Sequence, residues 1–341
     1  MKMKDLEKNK YWIWLSLVSD LGNRKKQKLL EKYKTPEKIY YLTKKELLEV
    51  NGIGEKTIEN ILDKSKKKEV EKHMEYMLKN EINIISIVDK QYPQILKEIY
   101  DPPISLYCRG NVEILNRKAI AIIGCREATQ YGKKASKYFA YNLAKQGINI
   151  ISGLAKGVDS YAHIGVNQIT SVENYTHNKV NQYNIVDKYN HKVKYTHVEK
   201  VESVDNNKNC GKTIAVLGNG LDSIYPRENK LLADQIIKNG GAIISEYPLG
   251  TKPNKMNFPA RNRIISGISK GVLVIEAKEK SGTLITVDFA LEQGRDVFVV
   301  PGNINSLNSV GTNFLIKQGA ELVTHYTDIK TKILSKQWKS W

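Results

Sequence analysis

Three short stretches combine glycine, hydroxyl, basic and aromatic residues as a phosphate chain would require. They are Gly124-Cys125-Arg126, Ser152-Gly153-Leu154-Ala155-Lys156-Gly157 and Asn257-Phe258-Pro259-Ala260-Arg261-Asn262-Arg263. Glycine lets an anion approach the backbone, a guanidinium forms paired hydrogen bonds to phosphate, and a ring offers a face on which a base can stack. The third stretch is the richest, with two arginines close behind a phenylalanine. Two weaker stretches join them: Ser281-Gly282-Thr283, ahead of a helical pattern, and Arg227, which follows Tyr225-Pro226. Each of these turns alone reads as readily as a simple helix cap. Placed along one edge of one sheet, they would form a site suited to nucleic acid more than to a metabolite.

The elements that would place them there begin near residue 100, where apolar runs alternate with helical segments. Strands are predicted at 105–108, 119–123, 149–151, 213–217, 242–244, 271–275, 296–300 and 321–323. Helices are predicted at about 131–146, 157–166, 228–239, 260–269, 283–293 and 311–318. Fully apolar strands separated by helices imply a parallel sheet covered on both faces. The fold class is therefore α/β, an extended Rossmann-like, doubly wound, mostly parallel sheet over about 95–330, and ligands of such sheets bind beyond the carboxyl ends of the strands.

Residues 1 to about 85 read as a small all-helical domain, with apolar residues at helical spacing in Trp12-Ile13-Trp14-Leu15 and no strand-like run. Within it, Leu48-Glu49-Val50-Asn51-Gly52-Ile53-Gly54-Glu55-Lys56-Thr57 resembles a helix-hairpin-helix of the SAM-like kind. Its amides could hold a DNA phosphate, or the turn could be purely structural. A polar stretch at about 168–209, rich in Asn, Lys, Tyr and His, interrupts the α/β pattern as a mobile loop or a small hairpin. Residues 331–341 read as a C-terminal tail without a winged helix.

A formal charge of +18, from 54 Lys+Arg against 36 Asp+Glu, fits a polyanionic partner. Charge alone does not identify it, since a lysine-rich run is commonly a solvated face. Cys108, Cys125 and Cys210 have no metal-ligand spacing and read as reduced thiols of a cytoplasmic protein. His163, His177, His191 and His197 lie in or beside the polar stretch without convincing ligand spacing, so no metal is expected. No apolar run approaches the length of a membrane span.

A dinucleotide enzyme is disfavoured, because GxGxxG is absent: Gly218-Asn219-Gly220 lacks its third glycine, and only Glu246 could meet a ribose hydroxyl. Asp159 and His163, four apart on a helix, could pair, and that pair reads as structural before it reads as an acid/base couple. No cofactor and no catalytic residue are expected.

The order and wording of these motifs resemble the DNA-processing protein A family, also called DprA or Smf. The matching segments are Ala121-Ile122-Ile123-Gly124-Cys125-Arg126, Ser152 to Asp159, Ala215 to Asp222 with Tyr225-Pro226, Ser245-Glu246-Tyr247-Pro248, Asn257 to Gly267, and Ser281 to Thr286. The resemblance implies a non-catalytic protein that binds and protects single-stranded DNA during natural transformation and helps load RecA recombinase. It implies DNA contacts from Gly124, Arg126, Ser152, Gly153, Lys156, Arg227, Asn257, Phe258, Arg261, Asn262, Arg263, Ser281, Gly282 and Thr283, with Phe258, Arg261 and Arg263 on a loop that meets the strand. It also implies a homodimer built through Asn313, Phe314, Ile316 and Leu322. Cys125 departs from the family's small hydroxyl or alanine, and the 168–209 stretch is foreign to its short connection.

Two other classes compete. Nucleotide phosphoribohydrolases of the lysine-decarboxylase-like Rossmann group share this sheet, but Ile285 stands where their glutamate would fall. A pure protein-interaction scaffold would use the charge only for solubility.

Overall fold

A computed structural model describes residues 3–63, 65–172 and 210–334. The expected contents of the polar stretch beyond residue 172, with His177, His191 and His197, and of the tail beyond 334 lie outside the described residues.

Six helices open the chain: α1 (Met3–Leu17), α2 (Asn23–Tyr33), α3 (Pro36–Tyr40), α4 (Lys44–Leu48), α5 (Glu55–Leu62) and α6 (Ser65–Lys79). Thr43 and Glu46 close a reciprocal capping box on α4. Gly52, at φ +87°, makes the left-handed turn that feeds α5, a backbone conformation that side-chain-bearing residues rarely adopt. Trp14, Leu29, Ile39, Leu47 and Ile58 fill the core beneath.

Among the described residues, one sheet of nine strands follows: β1 (Ile82–Ser86), β2 (Ser105–Gly110), β3 (Ala119–Ile123), β4 (Asn149–Ser152), β5 (Thr213–Val216), β6 (Ala242–Ser245), β7 (Gly271–Val274), β8 (Asp296–Val299) and β9 (Glu321–Leu322). Their order is β1-β2-β6-β5-β4-β3-β7-β8-β9; β1 and β2 run antiparallel to their neighbours and all other pairs are parallel. The expected parallel sheet is thus present, with an antiparallel edge that the sequence reading lacked. Ile82–Ser86 is strand, so the helical domain ends with α6, short of residue 85.

Helices α7 (Gln130–Lys145), α8 (Val158–Val172), α9 (Lys230–Lys238), α10 (Asn257–Gly267), α11 (Gly282–Glu292), α12 (Val310–Lys317) and α13 (Tyr326–Leu334) cover the sheet. Ile120, Ile122 and Ile150 meet Phe139 and Leu143 of α7 on one face, while Ile123, Ile151 and Val272 meet Ile264 of α10 on the other. Alternating residues of the buried strands thus serve two cores. Two boundaries move: α8 continues through 168–172, and α13, with Ile329 and Ile333 buried, belongs to the domain that was expected to end near 330.

The helical domain is fastened to the sheet. Ser16 Oγ lies 2.6 Å from the Tyr107 hydroxyl, Gln27 donates to the carbonyl of Pro102 at 2.7 Å, and His73 Nε2 lies 3.1 Å from the Leu249 carbonyl.

Candidate nucleic-acid interface

After β3 the chain steps through β4, β5 and β6 in one direction, then returns beside β3 with β7 and continues the other way. Loops leaving β3 and β7 therefore part at this reversal and leave a crevice between them. A cavity of about 640 Å³ lies there, lined by Gly124 to Glu127 after β3 and by Lys278 and Lys280 to Thr283 after β7. Its far wall is the first turns of α10, with Phe258, Pro259, Arg261 and Asn262, and Tyr225 closes one side. Sequence motifs far apart in the chain thus share one site.

Gly124 admits α8, since a Cβ there would stand 2.6 Å from Val158 Cγ2. Arg126 is exposed, and its guanidinium carbon sits over the Phe258 ring at 5.8 Å. Tyr225 stacks on the same ring with centroids 5.4 Å apart and planes inclined by 26°. Phe258 is thereby half-buried between neighbours, and Gly218 lies against its edge. The ring with an open face is Tyr225, 44% exposed. Stacking, first expected of Phe258, is therefore better served by Tyr225 with Phe258 behind it.

Residues 257–263 are helix rather than loop. Pro259 does not prevent this, because the first turn of a helix needs no amide from it. The consequence is that Arg261 and Arg263, two apart, point to different sides of α10. Arg261 faces the cavity, although only 5% exposed: it donates to Asn262 Oδ1 and the Gly153 carbonyl at 3.1 and 2.9 Å and to the Val216 carbonyl. Its Nη2 group has no hydrogen bond among the described residues. Burial pulls the Arg261 guanidinium down to about 10, partly offset by Asp159, so it stays a cation at neutral pH.

Arg263 does not reach the cavity. It forms a forked pair with Glu246, both contacts at 2.6 Å, and its Nε donates to the Asp101 carbonyl at 3.0 Å. Burial is overcome by Glu246, which holds the Arg263 guanidinium above its ordinary range. Its expected role in gripping DNA is replaced by a structural one, and Glu246, occupied by Arg263 and by Asn23 of α2 at 3.0 Å, is not placed to meet a ribose.

Ser152 is also withdrawn: fully buried, it donates to the Ile122 carbonyl at 2.7 Å. Gly153 lies behind the cavity, where a Cβ would come within 2.6 Å of Arg261 Nη2 and 2.8 Å of Asp159 Oδ2. Asp159 accepts from the amides of Gly153 and Ala155 at 3.1 and 3.4 Å, and burial raises its carboxyl above the ordinary range despite Arg261. The expected Asp159–His163 pair is not formed; His163 Nδ1 instead meets Thr213 Oγ1 at 2.6 Å, and burial lowers its imidazole to about 3. It is a neutral core residue.

Lys156 and Arg227, expected in the site, are exposed but do not line the cavity, and Lys156 is paired with Glu228 at 2.6 Å. Asn257 opens α10 without lining the cavity. Ser281 caps α11 by accepting from the Thr283 amide at 3.2 Å, so Ser281, Gly282 and Thr283 present a helix N-terminus to the cavity. Lys255, Lys278 and Lys280, unremarked in the sequence, add cations to the wall, with Lys278 paired to Glu127 at 2.8 Å. Ile285, standing where a hydrolase glutamate would fall, lines the same wall.

No residue of the α4–α5 hairpin lines the cavity. Of the expected dimer residues, Phe314 and Leu322 are exposed and Ile316 is half-buried against the core, whereas Asn313 is committed to both polar atoms of the Gly302 peptide. Cys108, Cys125 and Cys210 are free thiols. Among the described residues, no three His, Cys, Asp or Glu side chains cluster to hold a metal, and no helix is long and apolar enough to cross a membrane.

Comparison with known proteins places this chain in a family. A family model described as DNA recombination-mediator protein A matches residues 83–172 and 200–334, and one for a SAM-like helix-hairpin-helix tandem matches 15–67. The chain is 39% identical over 249 residues to DNA processing protein DprA of Bacillus subtilis, covering 73% of this chain and 70% of that protein. It is 37% identical to protein Smf of Escherichia coli, over 77% of this chain and 60% of that protein. The crystal structure of DNA processing protein A from Streptococcus pneumoniae superposes with a TM-score of 0.68 at 32% identity, covering 95% of this chain and 97% of that one. A structure of the Helicobacter pylori protein, described for its single-stranded DNA binding mode, gives 0.56 at 28% identity over 74% and 95%. This chain belongs to the DNA recombination-mediator protein A family, known as DprA or Smf.

Proposed function

We propose that this protein binds single-stranded DNA without regard to sequence and without cleaving it, shielding the strand during recombination of incoming DNA. The observation that carries this reading is the cavity at the sheet's reversal point, where Arg126, the Nη2 of Arg261 and three lysines surround the Phe258–Tyr225 stack. Cations beside stacking rings suit a strand whose bases are splayed and whose phosphates need neutralising. The single-stranded binding described for the Helicobacter pylori relative supports the same partner.

Binding without hydrolysis fits the wall chemistry. Ile285 offers no carboxylate, Glu127 is tied to Lys278, and Asp159 is buried beneath Arg261. Delivery of the strand to RecA recombinase, in the cytoplasm, completes the proposal. So does a homodimer, for which exposed Ile304, Leu307, Phe314 and Leu322 around α12 and β9 supply an apolar surface.

The test is fluorescence anisotropy with labelled single-stranded and duplex oligonucleotides of several sequences at two salt concentrations. Preference for the single strand, insensitivity to sequence and weakening with salt are expected. Equal weak binding to both forms would leave only a basic surface.

A further inference from the structure

Beyond the main cavity, the same carboxyl edge of the sheet carries a second one. It measures about 290 Å³ and lies between α7 and the end of β8, lined by Tyr131, Lys134, Tyr138, Val300, Pro301 and Thr324 among others. Tyr131 is 51% exposed, and its hydroxyl donates to the Pro301 carbonyl at 3.0 Å, which fixes the ring across the opening. Tyr138, also exposed, stands edge-on to Phe139 at 5.3 Å.

The helix that forms this wall is unusually one-sided in charge. Gln130–Lys145 carries Lys133, Lys134, Lys137 and Lys145 and no Asp or Glu. Among the described residues no carboxylate pairs with Lys133, Lys134 or Lys137. Lys133 and Lys137 instead bracket the Tyr161 ring, at 5.6 and 5.8 Å. The surface is continuous with the main site: Arg126 and Glu127 line the first cavity, Thr129 caps α7, and Tyr131 begins the second.

We propose that the cavity between Tyr131, Lys134 and Tyr138 is a second base-binding subsite, which receives single-stranded DNA leaving the main pocket over the first turn of α7. Rings supply stacking for any base, and lysines with no carboxylate partner among the described residues neutralise the phosphates on either side. The subsite rests on the single-strand reading above.

The test compares oligothymidylates of about 6 and about 16 nucleotides, a range spanned by known single-strand sites, on the wild type, Arg126→Ala and a Tyr131→Ala/Lys134→Glu double variant. Gel filtration checks that the variant keeps the oligomeric state. The wild type is expected to bind the longer strand more tightly; the double variant loses about tenfold on the longer strand alone, whereas Arg126→Ala loses on both. Should the double variant be unstable, Lys134→Glu alone, at an exposed position, carries the same length-selective loss. Wild-type affinity of the variant for the longer strand, or an equal loss on both lengths, overturns the subsite. Failure of the wild type to bind either strand overturns the single-strand reading and the subsite with it.

Discussion

Tyr225 covers one face of Phe258 at 5.4 Å, so of the two rings in the cavity wall Tyr225 has the more exposed surface. Phe258 serves as a platform that holds Tyr225 flat, and Arg126 extends over the same ring. Loss of one base–ring contact costs about 1–3 kcal/mol. Tyr225→Ala should therefore weaken single-strand affinity by roughly 5- to 160-fold while leaving thermal stability near that of the wild type, and Tyr225→Phe should restore it. Anisotropy alongside a thermal melt decides this; an affinity unchanged by Tyr225→Ala would remove the stack from the binding surface.

Arg126 reaches solvent at the cavity mouth and has no carboxylate partner among the described residues. A cation that meets one phosphate of a single strand contributes a slope of about 0.7 to the dependence of log affinity on log salt. Arg126→Ala should lower that slope by about this amount and weaken all sequences alike. An unchanged slope would mean that Arg126 only shelters Phe258.

Arg263, in contrast, is a stability residue. Removing one member of a buried ion pair leaves the other charge uncompensated, at about 3–5 kcal/mol. Arg263→Met should destabilise the protein by an amount of this order, and Glu246→Met added to it should recover part of the loss, since the buried Glu246 charge is no longer orphaned and only the partly exposed Asp101, 3.3 Å from Arg263 Nε, is left without its partner. The affinity of the folded fraction for single strands stays near that of the wild type. Urea titrations of the two single variants and the double variant form the cycle; additive losses would show that the pair is not coupled.

The contrast between the two arginines marks where the sequence was legible and where it was not. The strands from β2 to β9 stand out because each is an apolar run bounded by turns. β1 does not: Ile82–Ser86 follows directly on the charged α6, and its partner β2 lies beyond a 3-10 segment at Gln94–Glu98. Which motifs gather at one edge followed from strand order, and the cavity brings them together. Which side chains face it depended on whether 257–263 was helix or loop. The family resemblance implied a loop there, yet Pro259 is tolerated in the first turn of a helix, and the helical phase then separates Arg261 from Arg263. Ser152 is likewise a residue of β4 itself, its hydroxyl spent on a neighbouring strand. Lys255, Lys278 and Lys280 carried no signal in a chain so rich in lysine.

At Gly153, a side chain has no room between Arg261 and Asp159. Gly153→Ala should shift the Arg261 guanidinium and so lower both stability and single-strand affinity, whereas Gly282→Ala, where a Cβ meets nothing within 4 Å, should leave stability nearly unchanged. Overpacking of this kind costs about 1–3 kcal/mol. Melts of both variants test the difference, and equal stability of the two would mean that Arg261 relocates freely.

Lys26 of α2 lies buried between the helical domain and the sheet, 8% exposed. Burial, and Lys66 nearby, pull its ammonium down to about 8, with Glu246 offsetting part of the shift. In the unfolded chain the same group titrates near its ordinary value of 10.5. Between these values the unfolded state binds more protons than the folded one, so this residue's contribution to stability rises with pH. The cost of the buried charge is therefore fully present below about pH 8, fades as pH climbs toward 10.5, and is absent above it. Lys26→Met, which keeps the volume, should stabilise the protein at pH 7 by about 1–3 kcal/mol, and this advantage should shrink between pH 8 and 10. Urea unfolding of both proteins across that interval measures it. A difference that stays constant with pH would mean that Lys26 titrates alike in the folded and unfolded chains, and that the junction between the helical domain and the sheet is open to water.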